Sequence, residues 1–144
     1  MNVVGFDPEI TVDAAWRLPS SVRKAHVLED LLRQADFVTL HVPLLGVTRS
    51  LIGSRQLAVM KPGASLLNFA RDAIVDEAAI VEALRTGRLG YYVCDFPSPI
   101  LMTEPRVIAL PHLGASTNEA EENCAIMMPG SSANSDTAKP IVGP

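Results

Sequence analysis

Five short apolar runs separated by helix-patterned segments constrain what this chain can fold into more than any other feature. They are 3–6, 37–42, 65–71, 91–96 and 107–112. The first stops at Asp7-Pro8 and the second at Pro43, because proline has no N–H to offer a strand ladder. The third closes on Arg71 and the fifth on His112. Strands that are apolar on both faces and alternate with helices belong in a parallel sheet covered on both sides, so the fold class is α/β with five visible strands and helices on both faces. In such sheets the carboxyl ends of the strands form the ligand crevice. A guanidinium and an imidazole delivered there are candidate substrate-binding and acid/base groups, which points to an enzyme.

The intervening segments carry the expected helical spacing. Val27, Leu28, Leu31, Leu32 and Ala35 recur on one face and predict an amphipathic helix ending near Asp36. Ser54 is placed to cap a short helix carrying Leu57 and Met60, which Lys61-Pro62-Gly63 breaks. Asp76 is a good N-cap for a helix with Ala79, Ile80, Ala83 and Leu84 on one face, and Gly87 stands where a left-handed residue ends it. Ser116-Thr117-Asn118-Glu119 has the form of a capping box, continued at helical spacing by Ala120, Cys124 and Met127. From Pro129 to Pro144 small and polar residues dominate, and the segment is expected to be a disordered tail because it cannot bury enough surface to offset ordering entropy.

Composition narrows the function classes. With 144 residues, 48% hydrophobic and 19% charged, the chain suits one compact domain. Its formal charge of -4 is spread along the sequence, so no basic footprint for nucleic acid or polybasic membrane patch is visible. Cys94 and Cys124 stand far apart with no Cys-x-x-Cys or clustered His/Cys spacing, which reads as two reduced residues and no metal site. No apolar stretch approaches the roughly 18 residues of a membrane span, and Met1 opens no signal-peptide pattern; the expected location is the cytoplasm.

Several motifs in succession support a resemblance. His41-Val42-Pro43-Leu44 with Thr48, Met60-Lys61-Pro62-Gly63, Asn68-Phe69-Ala70-Arg71, Val75-Asp76-Glu77, Asp95-Phe96-Pro97 and Pro111-His112-Leu113-Gly114-Ala115-Ser116-Thr117 together resemble the D-2-hydroxyacid dehydrogenases, and within them the D-3-phosphoglycerate dehydrogenase branch. The resemblance implies a Rossmann-like, doubly wound sheet over residues 1–128 acting as a partial NAD-binding domain, with a small 2-hydroxy or 2-oxo acid as substrate. Asp7 then resembles the acid that accepts hydrogen bonds from the adenosine ribose and repels the extra phosphate of NADP. His41, Val42, Pro43 and Thr48 resemble the loop beside the adenosine and ribose, and Phe69, Ala70 and Gly114 resemble backbone that passes close to the cofactor. Arg71 resembles the anchor of the substrate carboxylate, a role suited to a forked, always-charged donor. Asp95 resembles the acid that holds the nicotinamide carboxamide. His112 resembles the general acid/base, because hydride transfer at carbon needs a matched proton transfer at oxygen.

Three departures qualify the resemblance. Family members carry a glutamate that hydrogen-bonds the catalytic histidine, and Pro99 stands at the matching position, with Glu104 the nearest carboxylate. Asp72 follows Arg71 where the family usually has glycine, and is a potential competitor for the guanidinium. No Gly-x-Gly-x-x-Gly precedes Val3. The expected sheet is therefore incomplete, lacking a central strand between the one ending at Asp7 and the one ending at Arg71. Such a chain is expected to rearrange, to pair as a homo-oligomer or to fold poorly. Two functions follow: a NAD-dependent dehydrogenase that is weak or inactive as this piece alone, or a non-catalytic remnant serving as a binding or oligomerisation module.

Overall fold

The computed structural model describes residues 1–112. In chain order they form β1 (Val3–Gly5), α1 (Val12–Trp16), β2 (Val22–Lys24), α2 (Leu28–Gln34), β3 (Phe37–Leu40), α3 (Ser54–Val59), β4 (Ala64–Asn68), α4 (Glu77–Arg85), β5 (Leu89–Cys94) and β6 (Val107–Ala109). The helix expected from Ser116 and the tail expected over 129–144 lie outside the described residues.

All strand pairings are parallel, in two groups: β1 with β2, and a four-stranded sheet in the order β3-β4-β5-β6. Strand β2 is absent from the five expected runs. Val22-Arg23-Lys24 is too short and too charged to show a pattern, and it becomes a strand by pairing Val3 with Val22 and by the bond from Ala25 N–H to the Gly5 carbonyl (2.8 Å). The position of the incomplete edge also differs from expectation. Both flanks of β4 are taken, by β3 and β5, so the strand leading to Arg71 has no vacancy beside it. The edges of this sheet are β3 and β6.

Register explains which residues form the core. Val38, Leu66, Tyr92 and Val107 lie side by side across the four strands, as do Leu40, Asn68, Cys94 and Ala109. Laterally paired residues share a face. On this face Val38, Leu40, Leu66, Tyr92 and Cys94 are buried in one cluster with Leu32 of α2, Leu57 of α3 and Ile80, Ala83 and Leu84 of α4, and Asn68 is buried beside them. The opposite face carries Phe37, Tyr91 and Ile108, which are 74%, 51% and 46% exposed. Helices α2, α3 and α4 all contribute to the cluster on the first face.

Helix α4 forms as its sequence predicts. Asp76 accepts the Ala79 N–H (3.2 Å), and Gly87 takes φ 73° just past the end. Helix α3 starts differently, with Gly53 rather than Ser54 as its N-cap, and the Gly53 N–H donates to Gln56 Oε1 (3.4 Å). Its carboxyl end is closed from outside: Arg88 donates to the carbonyls of Leu57 (3.1 Å), Ala58 and Met60 (2.6 Å). One long cation thus satisfies acceptors that a helix end leaves open.

Burial pushes the Tyr92 phenol well above its ordinary range, only partly offset by the hydrogen bond from Asn68. A phenol raised in the folded state contributes stability that is intact below its unfolded value near ~10 and is lost as pH rises beyond it. Urea midpoints are therefore expected to fall more steeply above about pH 10 in the parent chain than in Tyr92→Phe. Parallel curves for the two proteins would contradict this.

Candidate active site

The four-stranded sheet ends its strands along one edge, where four of the expected site segments emerge. His41, Val42, Pro43 and Leu44 follow β3, and Ala70 and Arg71 follow β4; together they line an open cleft of about 560 Å³. Arg71 is exposed, its Nη1 donating to the Ala70 carbonyl (2.6 Å). The turn that carries it is set by Asn68, a residue given no role from sequence. Its side chain is 1% exposed, donates to the Arg71 carbonyl (2.8 Å) and to Tyr92 Oη (3.4 Å), and accepts the Ala70 N–H (3.2 Å). The available signal was an amide inside the otherwise apolar run Leu66-Leu67-Asn68-Phe69-Ala70, since a buried polar side chain must find partners.

Asp95 directly follows β5 and His112 lies just beyond β6. The ladder between these strands continues one step past β6, with Leu110 N–H donating to the Cys94 carbonyl (2.9 Å). His112 Nδ1 lies 2.6 Å from Asp95 Oδ2, and the Phe96 ring packs against the imidazole with centroids 4.2 Å apart. The second carboxylate oxygen, Asp95 Oδ1, is buried and has no hydrogen-bond partner among the described residues. Neighbouring Cys94 is a buried free thiol whose pKa burial pushes up, an environment that disfavours the reactive thiolate.

The other expected residues have local partners. Asp7 lies past β1, exposed, and its Oδ1 accepts the Glu9 N–H (2.9 Å). Exposed His41 shares a hydrogen bond with Thr39 Oγ1 (2.9 Å). Thr48 staples its own loop, accepting the Leu45 N–H (2.7 Å) and donating to the Pro43 carbonyl (2.6 Å). Glu104 is taken by Arg85, which donates to it from Nε (2.9 Å) and Nη2 (2.5 Å). Among the described residues no bond joins Glu104 to His112, and none joins Asp72 to Arg71. Asp72 instead accepts the Ala73 N–H (2.7 Å) at the start of a 3-10 turn, and its backbone has no positive φ that would call for glycine. Gly114 lies outside the described residues. Among those described, no group of three or more His, Cys, Asp or Glu is placed to hold a metal ion, and no helix is long and apolar enough to cross a membrane.

The sequence profile of the D-isomer specific 2-hydroxyacid dehydrogenase NAD binding domain matches residues 1–114. The chain belongs to this family. Members of the D-2-hydroxyacid dehydrogenases are NAD-dependent oxidoreductases, and the matched region is their NAD-binding domain. The D-3-phosphoglycerate dehydrogenase of Methanocaldococcus jannaschii is 40% identical over 129 residues, covering 85% of this chain and 24% of that protein. The (S)-sulfolactate dehydrogenase of Chromohalobacter salexigens is 41% identical over 130 residues, covering 85% and 41%. The chain thus spans about a quarter of the length of the phosphoglycerate dehydrogenases it matches. Among solved structures, D-mandelate dehydrogenase of Rhodotorula graminis superimposes with a TM-score of 0.76 at 26% identity, over 88% of this chain and 38% of that one. D-lactate dehydrogenase of Lactobacillus jensenii, solved with NAD+, gives 0.72 at 28% identity over 85% and 41%. The Rossmann-like reading of this dehydrogenase domain agrees with both.

Proposed function

We propose that this chain provides the nucleotide-binding and proton-transferring part of a cytoplasmic NAD-dependent dehydrogenase for a 2-hydroxy acid/2-oxo acid pair, of phosphoglycerate dehydrogenase type. The observation that carries the reading is the Asp95–His112 pair at the same sheet edge to which Arg71 is delivered. Bound NAD supplies or accepts the hydride at the substrate carbon. With Nδ1 engaged by Asp95, His112 has Nε2 free to take the hydroxyl proton during oxidation and to return it during reduction. Arg71, exposed beside the cleft, offers a forked cation to the substrate carboxylate. Asp95 fits the nicotinamide carboxamide, because its buried Oδ1 is an acceptor that an amide N–H would satisfy. Asp7 would accept from the adenosine ribose hydroxyls, with His41, Val42, Pro43, Thr48, Phe69 and Ala70 lining the cofactor's path and Gly114 beyond them.

Alone, the 144-residue chain turns over weakly or not at all. The β1–β2 pair that carries Asp7 shares no strand pairing with the sheet that carries Arg71, Asp95 and His112, so nothing in the ladders fixes one half of the site against the other. The test is NADH oxidation by the purified chain with a panel of 2-oxo acids, beside His112→Ala. Trace or absent turnover is expected, with any trace lost in the variant. Robust turnover that His112→Ala abolishes would overturn the inactivity; robust turnover that survives it would overturn the acid/base assignment.

A second reading is a non-catalytic association module, favoured by the exposed Phe37, Tyr91 and Ile108 on one sheet face, with a second copy of the chain as the partner. It predicts a stable homo-oligomer in sedimentation and no NAD binding by calorimetry.

A further inference from the structure

We infer that Asp95 is the positioning residue for His112, locking the imidazole in the tautomer that carries its proton on Nδ1. This rests on the dehydrogenase reading only for the use to which Nε2 is put; the lock itself stands on geometry. Asp95 is the fixed member of the pair, with a side chain 13% exposed against 49% for His112, and it sits at the root of a loop immediately after a buried strand residue, Cys94. The Nδ1···Oδ2 separation of 2.6 Å is that of a charge-assisted hydrogen bond. An ionised carboxylate is acceptor-only, so the shared hydrogen belongs to Nδ1 and the neutral ring leaves Nε2 with its lone pair. Phe96, stacked at 4.2 Å with a 37° tilt, restricts the ring from swinging away.

The competing carboxylate is already committed. Glu104 binds Arg85 through two nitrogens, and the position where the resemblance calls for a glutamate is the exposed Pro99. One carboxylate therefore has two tasks on two oxygens. Oδ2 orients the imidazole, while Oδ1 is buried with no hydrogen-bond partner among the described residues.

The test is nitrogen NMR of the histidine-labelled 144-residue chain without cofactor or substrate, with the His112 signals assigned by their loss in His112→Gln. In the parent chain the neutral His112 ring is expected as the Nδ1–H form. Asp95→Ala is expected to lose that lock and shift the ring to the Nε2–H form that free imidazole side chains prefer; Asp95→Asn, which keeps an acceptor oxygen, is expected to retain the lock, and Glu104→Gln to leave it unchanged. An Nε2–H ring in the parent chain overturns the inference even if a variant fails to fold. So does an unchanged tautomer in folded Asp95→Ala, or a shift on Glu104→Gln. Because no cofactor enters the measurement, a chain that never oxidises NADH can still show the lock, and failure of either idea is recognised separately.

Discussion

Gly90→Ala is expected to destabilise the protein by about 3 kcal/mol or more, the upper range for forcing atoms into a packed interior. A Cβ built at Gly90 falls 2.3 Å from the Gly63 carbonyl oxygen, 3.0 Å from its carbon and 3.4 Å from the Ala64 oxygen. These are backbone atoms, so no side-chain rotation relieves the overlap. The close approach arises where the β4–β5 register slips: Ala64 pairs with Leu89 and Ser65 with Tyr91, leaving Gly90 unpaired against the turn. That turn is itself held, by Gly63 at φ 78° and by its N–H donating to the Arg88 carbonyl (3.0 Å). Parting it would disturb the two central strands of the four-stranded sheet, along with the clamp of Arg88 on α3. Urea unfolding of the variant against the parent measures the effect. A loss below about 1 kcal/mol would show that the bulge accommodates a methyl group and that the close approach is not a constraint.

Asn68→Ala is expected to cost about 2–3 kcal/mol, and Asn68→Asp more than that at neutral pH. The alanine leaves the Ala70 N–H and the Arg71 carbonyl without their side-chain partner in a part-buried turn. The aspartate keeps an acceptor for Ala70 N–H but turns a negative oxygen toward the Arg71 carbonyl, which has no hydrogen to offer it, inside a site that is 1% exposed. Denaturation midpoints of the two variants give the order, and equal stability of all three proteins would remove Asn68 from the framework of the site. Because the same amide sets the backbone that presents Arg71, its loss also loosens the cation that the proposed function assigns to the substrate carboxylate.

Helix α4 was legible in the sequence because its signals are local and agree: an aspartate cap, apolar residues at helical spacing, and a glycine at the left-handed end. Strand β2 was not, since three residues with two charges carry no periodicity and are made a strand by their neighbour. Cap identity at α3 failed for a similar reason. Ser54 and Gly53 are adjacent, and the choice between them follows from the Gln56 side chain and from the loop at 50–52, which pairs with 73–76.

For the site, sequence alone determined the cast. The motifs around Arg71, Asp95 and His112 identify a D-2-hydroxyacid dehydrogenase NAD-binding domain, and the same short stretches supply the residues to which the proposed function gives the carboxylate anchor and the proton transfer. Tertiary structure alone decided the partnerships. Asp95 and His112 are 17 residues apart in the chain and meet because β5 and β6 pair in parallel, while Glu104 is bonded to Arg85 at the end of α4. A carboxylate's partner is set by which strand ends are neighbours and which cation lies within reach, and those are distances that exist only after the sheet has formed.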